Sequence, residues 1–216
     1  MPHFFTDRRE GVSLGVYNSF NLAVHVGDDP KDVATNRSRL GAVQFMNQVH
    51  GDEIVVIDEL MQTPPTCDAL ITKNPLISLA VMVADCIPLL LISKTAVAAV
   101  HVGRAGLVNQ IAIKTVRAMQ AMGVADIHAV LGPSICGNCY EVPIQMQRAV
   151  VELHPLAQSQ SFKNTPALDL AKALRADLAA IGISYESSSI CTLESEEYFS
   201  YRCENPTGRF AGVVSL

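Results

Sequence analysis

His50 in Asn47-Gln48-Val49-His50-Gly51, Cys86 in Ala84-Asp85-Cys86-Ile87-Pro88 and His101 in Val100-His101-Val102-Gly103 are the residues of this chain best suited to hold a metal ion. Two imidazoles and a thiolate make a good zinc ligand set, and three protein donors leave a fourth tetrahedral position for water or substrate. The residue types therefore point to a catalytic metal. Singly they carry less, because cysteine is among the most often buried residues and an isolated histidine is usually a satisfied structural one. Their separations of 36 and 15 residues match no local zinc-finger template, so tertiary structure has to bring them together.

Other residues invite chemical readings. Cys136 and Cys139 form a Cys-x-x-Cys whose spacing suits zinc or redox chemistry. The segment is Gly/Pro-rich, with no second Cys-x-x-Cys and no thioredoxin-like βαβ context, so a structural loop lining the pocket is expected. Arg8, Arg9, Arg37, Arg202 and Arg209 lie beside motif-like glycines, asparagines and serines. Arginine recognises phosphate bidentately, and one or two of these are expected to bind an anion. There is no Gly-x-Ser-x-Gly, and the run Gly103 to Gly106 lacks the lysine of a P-loop. Cys86 as a covalent nucleophile assisted by His50 or His101 stays open.

The elements that must position these residues follow from periodicity. Runs rich in β-branched residues at 53–57, 77–83, 89–93, 96–102, 127–131 and 188–192 predict strands. Helical patterns occupy 30–40, with Asp28 or Asp29 as N-cap, then 107–122 stopped by Gly123, and 168–181 stopped by Gly182. Mixed sheets covered by helices result. Cys86 falls in a turn between two apolar strands, and His101 closes the next strand just before Gly103 and Gly106 open a helix. Both lie at strand ends, where α/β sites tend to form, and the helix-start amides near His101 offer a seat for phosphate or carboxylate.

Bulk properties bound the class. The chain has 216 residues, 49% hydrophobic and 17% charged, with net charge −5. This predicts one compact domain over 1–216 and gives no electrostatic footprint for nucleic acid. Small molecules are the expected partners. The first ten residues lack a basic region followed by an apolar stretch, so a cytoplasmic location is expected. The most apolar stretch, 76–92, is interrupted by Asp85 and Pro88 and falls short of a membrane span of ~20 residues. Six cysteines in such a chain read as thiols or metal ligands rather than as a disulfide framework.

Several short motifs occur in a fixed order. They are Thr6-Asp7-Arg8, Gly11-Val12-Ser13, Ser19-Phe20-Asn21-Leu22, His25-Val26-Gly27-Asp28, Asn36-Arg37, Gln48-Val49-His50-Gly51, Ala84-Asp85-Cys86, His101-Val102-Gly103, Tyr140-Glu141-Val142, Phe199-Ser200-Tyr201-Arg202 and Thr207-Gly208-Arg209. With them the chain resembles, nearly end to end, the YfiH-like family, also called the laccase-domain or polyphenol oxidase family, whose bacterial members carry the peptidoglycan editing factor label. The resemblance implies an α/β chain with mixed sheets in a four-layer α/β/β/α sandwich, and zinc at His50, Cys86 and His101. It also implies phosphorolysis of adenosine, inosine, guanosine and methylthioadenosine, with deamination of adenosine; nucleoside and phosphate are then the partners. Asp85 is expected to orient a ligand histidine or shuttle a proton. Arg8, Asn21, Arg37, Gln48, Tyr140 and Arg202 are expected to bind substrate.

The family commonly reads His-Ala-Gly-Trp-Arg-Gly where this chain has Val102, Arg104 and Ala105, so an aromatic platform is lost and the arginine stands one position early. The usual Ser-Tyr-Arg-Arg is also altered, with Cys203 after Arg202. Three alternatives stay open: a copper polyphenol oxidase, although six histidines without His-x-His pairs are few for multicopper chemistry; a cysteine amidase acting on peptidoglycan precursors; and a non-catalytic zinc-binding protein.

Overall fold

Residues 87–92 read Ile-Pro-Leu-Leu-Leu-Ile, apolar at every position, which suits a strand covered on both faces. The computed structural model describes residues 2–216 and bears this out. In chain order its strands are β1 (His3–Phe5), β2 (Val43–Gln44), β3 (Ile54–Val56), β4 (Ala69–Thr72), β5 (Ser78–Val83), β6 (Ile87–Ile92), β7 (Val97–Val102), β8 (His128–Leu131), β9 (Gln158–Gln160), β10 (Pro166–Leu168), β11 (Ser184–Ser187) and β12 (Phe210–Val214). The helices are α1 (Pro30–Ser38), α2 (Arg104–Val108), α3 (Ile111–Ala121), α4 (Ile144–Leu153) and α5 (Leu170–Ala180). A six-stranded sheet has the order β11-β8-β6-β7-β4-β3, a four-stranded sheet the order β1-β12-β5-β2, and β9 pairs with β10.

Strand alternation sorts the apolar side chains into layers. Leu89 and Leu91 of β6, with Ala98, Val100 and Val102 of β7, pack with Leu107, Ile111, Val116 and Leu174 of the helices. Their neighbours Leu90, Ile92, Val97 and Ala99 point the other way, against Leu79, Val81 and Val83 of β5 and Phe210 of β12, and fill the space between the two sheets. The far face of the four-stranded sheet, Ala80, Met82, Ala211 and Val213, is covered by Phe20, Leu22, Ala23 and Phe45. On that side α1 starts at Asp29, whose carboxylate accepts from the Lys31 amide. The buried Asn36 amide of α1 donates to the carbonyls of Ser19 and Asn21. Helices, six-stranded sheet, four-stranded sheet and an N-terminal segment with α1 are the four expected layers.

Three elements differ from expectation. The predicted helix 107–122 is two helices broken at Asn109 and Gln110: Gln110 takes a left-handed conformation (φ 61°), and the Asn109 side chain accepts from the Ile111 amide and donates to the Gly51 carbonyl. The predicted strand 188–192 is a connection carrying a single bridge, Ser134 to Cys191, while the paired strand is β11, parallel to β8. Leu168 ends β10, and Asp169 caps α5 by accepting from the Lys172 amide. The strands β1, β2, β4, β9, β10 and β12 and the helix α4 had no counterpart in the sequence reading.

Leu90 lies fully buried between the sheets. Leu90→Ala is expected to cost about 2–5 kcal/mol in urea unfolding, the range for cavity-forming core truncations; a loss below about 0.5 kcal/mol would contradict this packing.

Candidate functional site

Strand register brings the first residues together. β7 runs antiparallel to both β6 and β4, with Ile87 opposite Val102 and Ala69 opposite Val100. Continuing each ladder by one residue sets Cys86 across from Gly103 and Asp68 across from His101. His101 shares its strand face with Val97 and Ala99, and Asp68 shares its face with Leu70, so both point between the sheets. The His101 amide donates to the Asp68 carbonyl at 2.8 Å, and the ring nitrogen Nδ1 lies 2.7 Å from Asp68 Oδ1. With Nδ1–H directed at a carboxylate, Nε2 is the nitrogen available to an ion.

The same carboxylate builds the loop that delivers His50. Asp68 accepts from the amides of Val49 at 3.2 Å, His50 at 3.0 Å and Gly51 at 2.7 Å. His50 itself takes a positive φ of 60°, a conformation uncommon for a residue with a side chain. Asn109, at the helix break, holds the Gly51 carbonyl at 2.8 Å. The two imidazoles meet edge to face with centroids 4.7 Å apart.

One ligand atom from each of His50, Cys86 and His101 lies within 4.8 Å of the other two, a group able to hold a metal ion. His50 is exposed, Cys86 half-buried and His101 buried, so the group is open on one side. A second observation supports the fit. A Cβ placed on Gly103 would stand 2.9 Å from Cys86 Sγ and 3.4 Å from His50 Cδ2, so only glycine leaves room for donors this close.

Electrostatics match the donor set. Burial opposes charge on Cys86, but the charge of His101 and hydrogen bonds from His101 and His50 outweigh it and bring the thiol down to about 6. Burial likewise opposes charge on His101, and the Cys86 thiolate and Asp68 raise it to about 9. Burial pushes Asp68 up, while the His101 hydrogen bond and the Gly51 amide together hold it below the usual carboxylate range.

The three donors open into a cavity of about 570 Å³. Among the residues expected to bind substrate, Gln48, Tyr140 and Arg202 line it. The Gln48 amide is already used, donating to the Met82 carbonyl at 2.7 Å and accepting from its amide at 2.9 Å. Arg202 stacks 4.8 Å over the Tyr140 ring and donates to the Glu141 carbonyl. Ile135 and Tyr140 bring the Cys-x-x-Cys loop into the wall.

Four of the expected site residues have their side chains engaged by other partners. Asp85 does not orient a ligand histidine: its carboxylate accepts from Thr192 Oγ1 at 2.7 Å, Ser200 Oγ at 2.6 Å and the Arg202 amide at 2.7 Å. That task falls to Asp68. Asn21 is fully buried, accepting from the amides of Ala23 and Arg209 and donating to Asp28. Arg37 donates to the Leu22 carbonyl and stacks 4.1 Å over Phe45. Arg8 lies over Phe199 and faces a separate hollow of about 820 Å³.

Three site residues were missed, Asp68, His25 and Arg104, while Arg209 stood among the arginines expected to bind an anion. Asp68 precedes an apolar strand too short to announce itself. His25, Arg104 and Arg209 line the cavity. Burial and the charges of Arg209 and Arg37 keep His25 below the usual imidazole value. Arg209 donates to the carbonyls of Thr207 and Gly208, whereas the Arg104 side chain has no hydrogen-bond or ion-pair partner among the described residues. Their only sequence signal was residence in motifs.

Residues 2–216 match the family described as multi-copper polyphenol oxidoreductase laccase. A relative from Streptomyces griseus named purine nucleoside phosphorylase ORF3 is 43% identical over 99% of this chain and 94% of its own. Purine nucleoside phosphorylase YfiH of Shigella flexneri is 33% identical over 95% of this chain and 90% of its own. The crystal structure of Neisseria meningitidis protein NMB0706 superposes with a TM-score of 0.91 at 33% identity, covering 99% of this chain and 93% of that one. Shared motifs, shared fold and end-to-end identity at this level lead to one conclusion: the chain belongs to the YfiH-like, laccase-domain family.

Proposed function

We propose that this chain is a zinc-dependent purine nucleoside enzyme that phosphorolyses adenosine, inosine, guanosine and methylthioadenosine and deaminates adenosine. The observation that carries this reading is the grouping of His50, Cys86 and His101 on the wall of a cavity that also presents arginines and a tyrosine. Its volume of about 570 Å³ is in the range of small-molecule sites. The names of the relatives support the substrate class. Two imidazoles and a thiolate favour zinc over a multicopper cluster, which needs more histidines than this site gathers. When bound, zinc supplies Lewis-acid polarisation and acidifies a water toward a pKa of ~7.

The chain's own residues supply the rest. In phosphorolysis an oxygen of inorganic phosphate bonds to the anomeric carbon as the glycosidic C–N bond breaks, and the electron pair leaves with the base, which gains a proton. Arg104, with the remaining donors of Arg202 and Arg209, holds the phosphate by charge-assisted hydrogen bonds. With Gln48 committed to Met82, the Tyr140 hydroxyl and neutral His25 are the groups left to orient the base and manage its proton. In deamination water adds to the purine carbon bearing the amine and ammonia leaves.

One specific observation favours a second reading. A Cys86 thiolate paired with His101 imidazolium is also a nucleophile and its partner, as a metal-free cysteine amidase would use. Chelator resistance with inactivation by thiol alkylation would select it.

Incubation with adenosine, with and without phosphate, tests the main reading. Adenine forming only with phosphate, and inosine without it, is expected; His50→Ala, Cys86→Ala and His101→Ala each abolish both products and lower zinc content. Full metal and turnover in all three would overturn the assignment. Asp68→Asn is expected to weaken zinc binding by about 10–100-fold, as loss of such ligand-orienting partners does, while Asp85→Asn leaves zinc content unchanged in a chelator competition. Arg104→Ala is expected to raise KM for phosphate by at least about tenfold, the loss of a charge-assisted hydrogen bond, with adenosine deamination unaltered; an unchanged phosphate KM would exclude Arg104 from that role.

A further inference from the structure

The Cys-x-x-Cys lacks a second copy in the sequence, but the fold supplies one of different composition. Cys136 and Cys139 lie in the connection that leaves β8, and Cys191 lies in the one that leaves β11. These strands are parallel neighbours, so both connections start from the same edge of the sheet. A bridge between Ser134 and Cys191 holds them side by side. Each forms a tight turn: the Cys139 and Tyr140 amides donate to the Cys136 carbonyl at 3.0 Å, and the Glu194 amide donates to the Cys191 carbonyl at 3.2 Å. Cys136-x-x-Cys139 therefore faces Cys191-x-x-Glu194, and one ligand atom from each of the four lies within 4.8 Å of the others.

We propose that Cys136, Cys139, Cys191 and Glu194 form a second metal site, a structural one, for a thiophilic divalent cation of the zinc type. Paired donors three residues apart on two loops have the ligand spacing of structural zinc centres. Tetrahedral bonds of ~2.3 Å to sulfur set the donors ~3.8 Å apart, within the reach of this cluster. Cys191 Sγ accepts the Cys136 amide at 3.3 Å, which draws the two cysteine-bearing turns together. Gly137, between the two loop cysteines, packs so closely that an added Cβ would stand 2.6 Å from the Asp169 side chain, so the turn is held in place.

The position of the cluster indicates its task. One loop carries Ile135 and Tyr140 into the cavity wall. The other continues into Thr192, whose hydroxyl donates to Asp85, the residue that also holds Ser200 and the Arg202 amide. An ion at the four donors braces the segment that carries Tyr140 and, through Thr192 and Asp85, the segment that carries Arg202, without entering the cavity. This site does not depend on the reaction assigned to the first.

Zinc content of the full-length protein, purified reduced and exchanged into metal-free buffer, decides the matter. About two zinc ions per chain are expected, about one in Cys86→Ser, about one in Cys139→Ser and none in the double variant. Cobalt(II) loaded into Cys86→Ser is expected to show intense thiolate charge-transfer absorption that disappears when Cys139→Ser is added. Where Cys139→Ser misfolds, Glu194→Gln at an exposed side chain serves instead, and is expected to release zinc to a chelator at least about tenfold more readily. The proposal is overturned if Cys86→Ser holds no metal, if neither Cys139→Ser nor Glu194→Gln alters metal retention, or if thiol-blocked, denatured protein shows Cys136, Cys139 or Cys191 joined in a disulfide.

Discussion

A single buried carboxylate holds the candidate site together. Asp68 has no exposed surface, and an unpaired buried charge would be costly, so each of its oxygens must find donors. It finds four: the ring of His101 and the amides of Val49, His50 and Gly51. The first fixes a histidine on a strand, and the others fix the loop bearing a histidine from a different part of the chain. One side chain thereby sets the relative positions of two histidines of the candidate metal group. Desolvation strengthens every one of these bonds, because in a low dielectric the donors cannot exchange them for water.

A second aspartate does corresponding work next to Cys86. Asp85, beside Cys86, gathers Thr192, Ser200 and the Arg202 amide. Around it the chain reaches the cavity from the end of the four-stranded sheet, at Met82 and Val83, and from the loops after β8 and β11. The pocket forms where the space between two packed sheets runs out of apolar side chains to fill it. That is also where His101, the last inward-facing residue of β7, replaces the alanines and valines that precede it.

Legibility in the sequence tracked local information. Strands β5, β6, β7 and β8 were readable because burial on both faces makes runs of apolar residues, and α1 was readable from Asp29 followed by Pro30. Strands β4 and β12 are also buried throughout, but Ala69 in one and Ala211-Gly212 in the other weaken their β-propensity. The break after α2 escaped notice because Asn109 and Gln110 are ordinary helix residues; what stops the helix is a bond from Asn109 to Gly51, 58 positions away. Asn21, Arg8 and Arg37 sat in motifs that look functional, yet their side chains are spent on main-chain carbonyls, buried partners and aromatic rings.

By itself the sequence determined the chemical types available, the apolar strands and the identity of His50, Cys86 and His101 as candidate metal donors, since these depend on residue type and near neighbours. Tertiary structure alone decided which carboxylate serves which partner. Asp68 and Asp85 are equally acidic on paper, and only the antiparallel register of β4 against β7 sets Asp68 opposite His101. It also decided that Cys191 and Glu194 meet Cys136 and Cys139, because the pairing of parallel strands β8 and β11 juxtaposes loops that lie more than fifty residues apart.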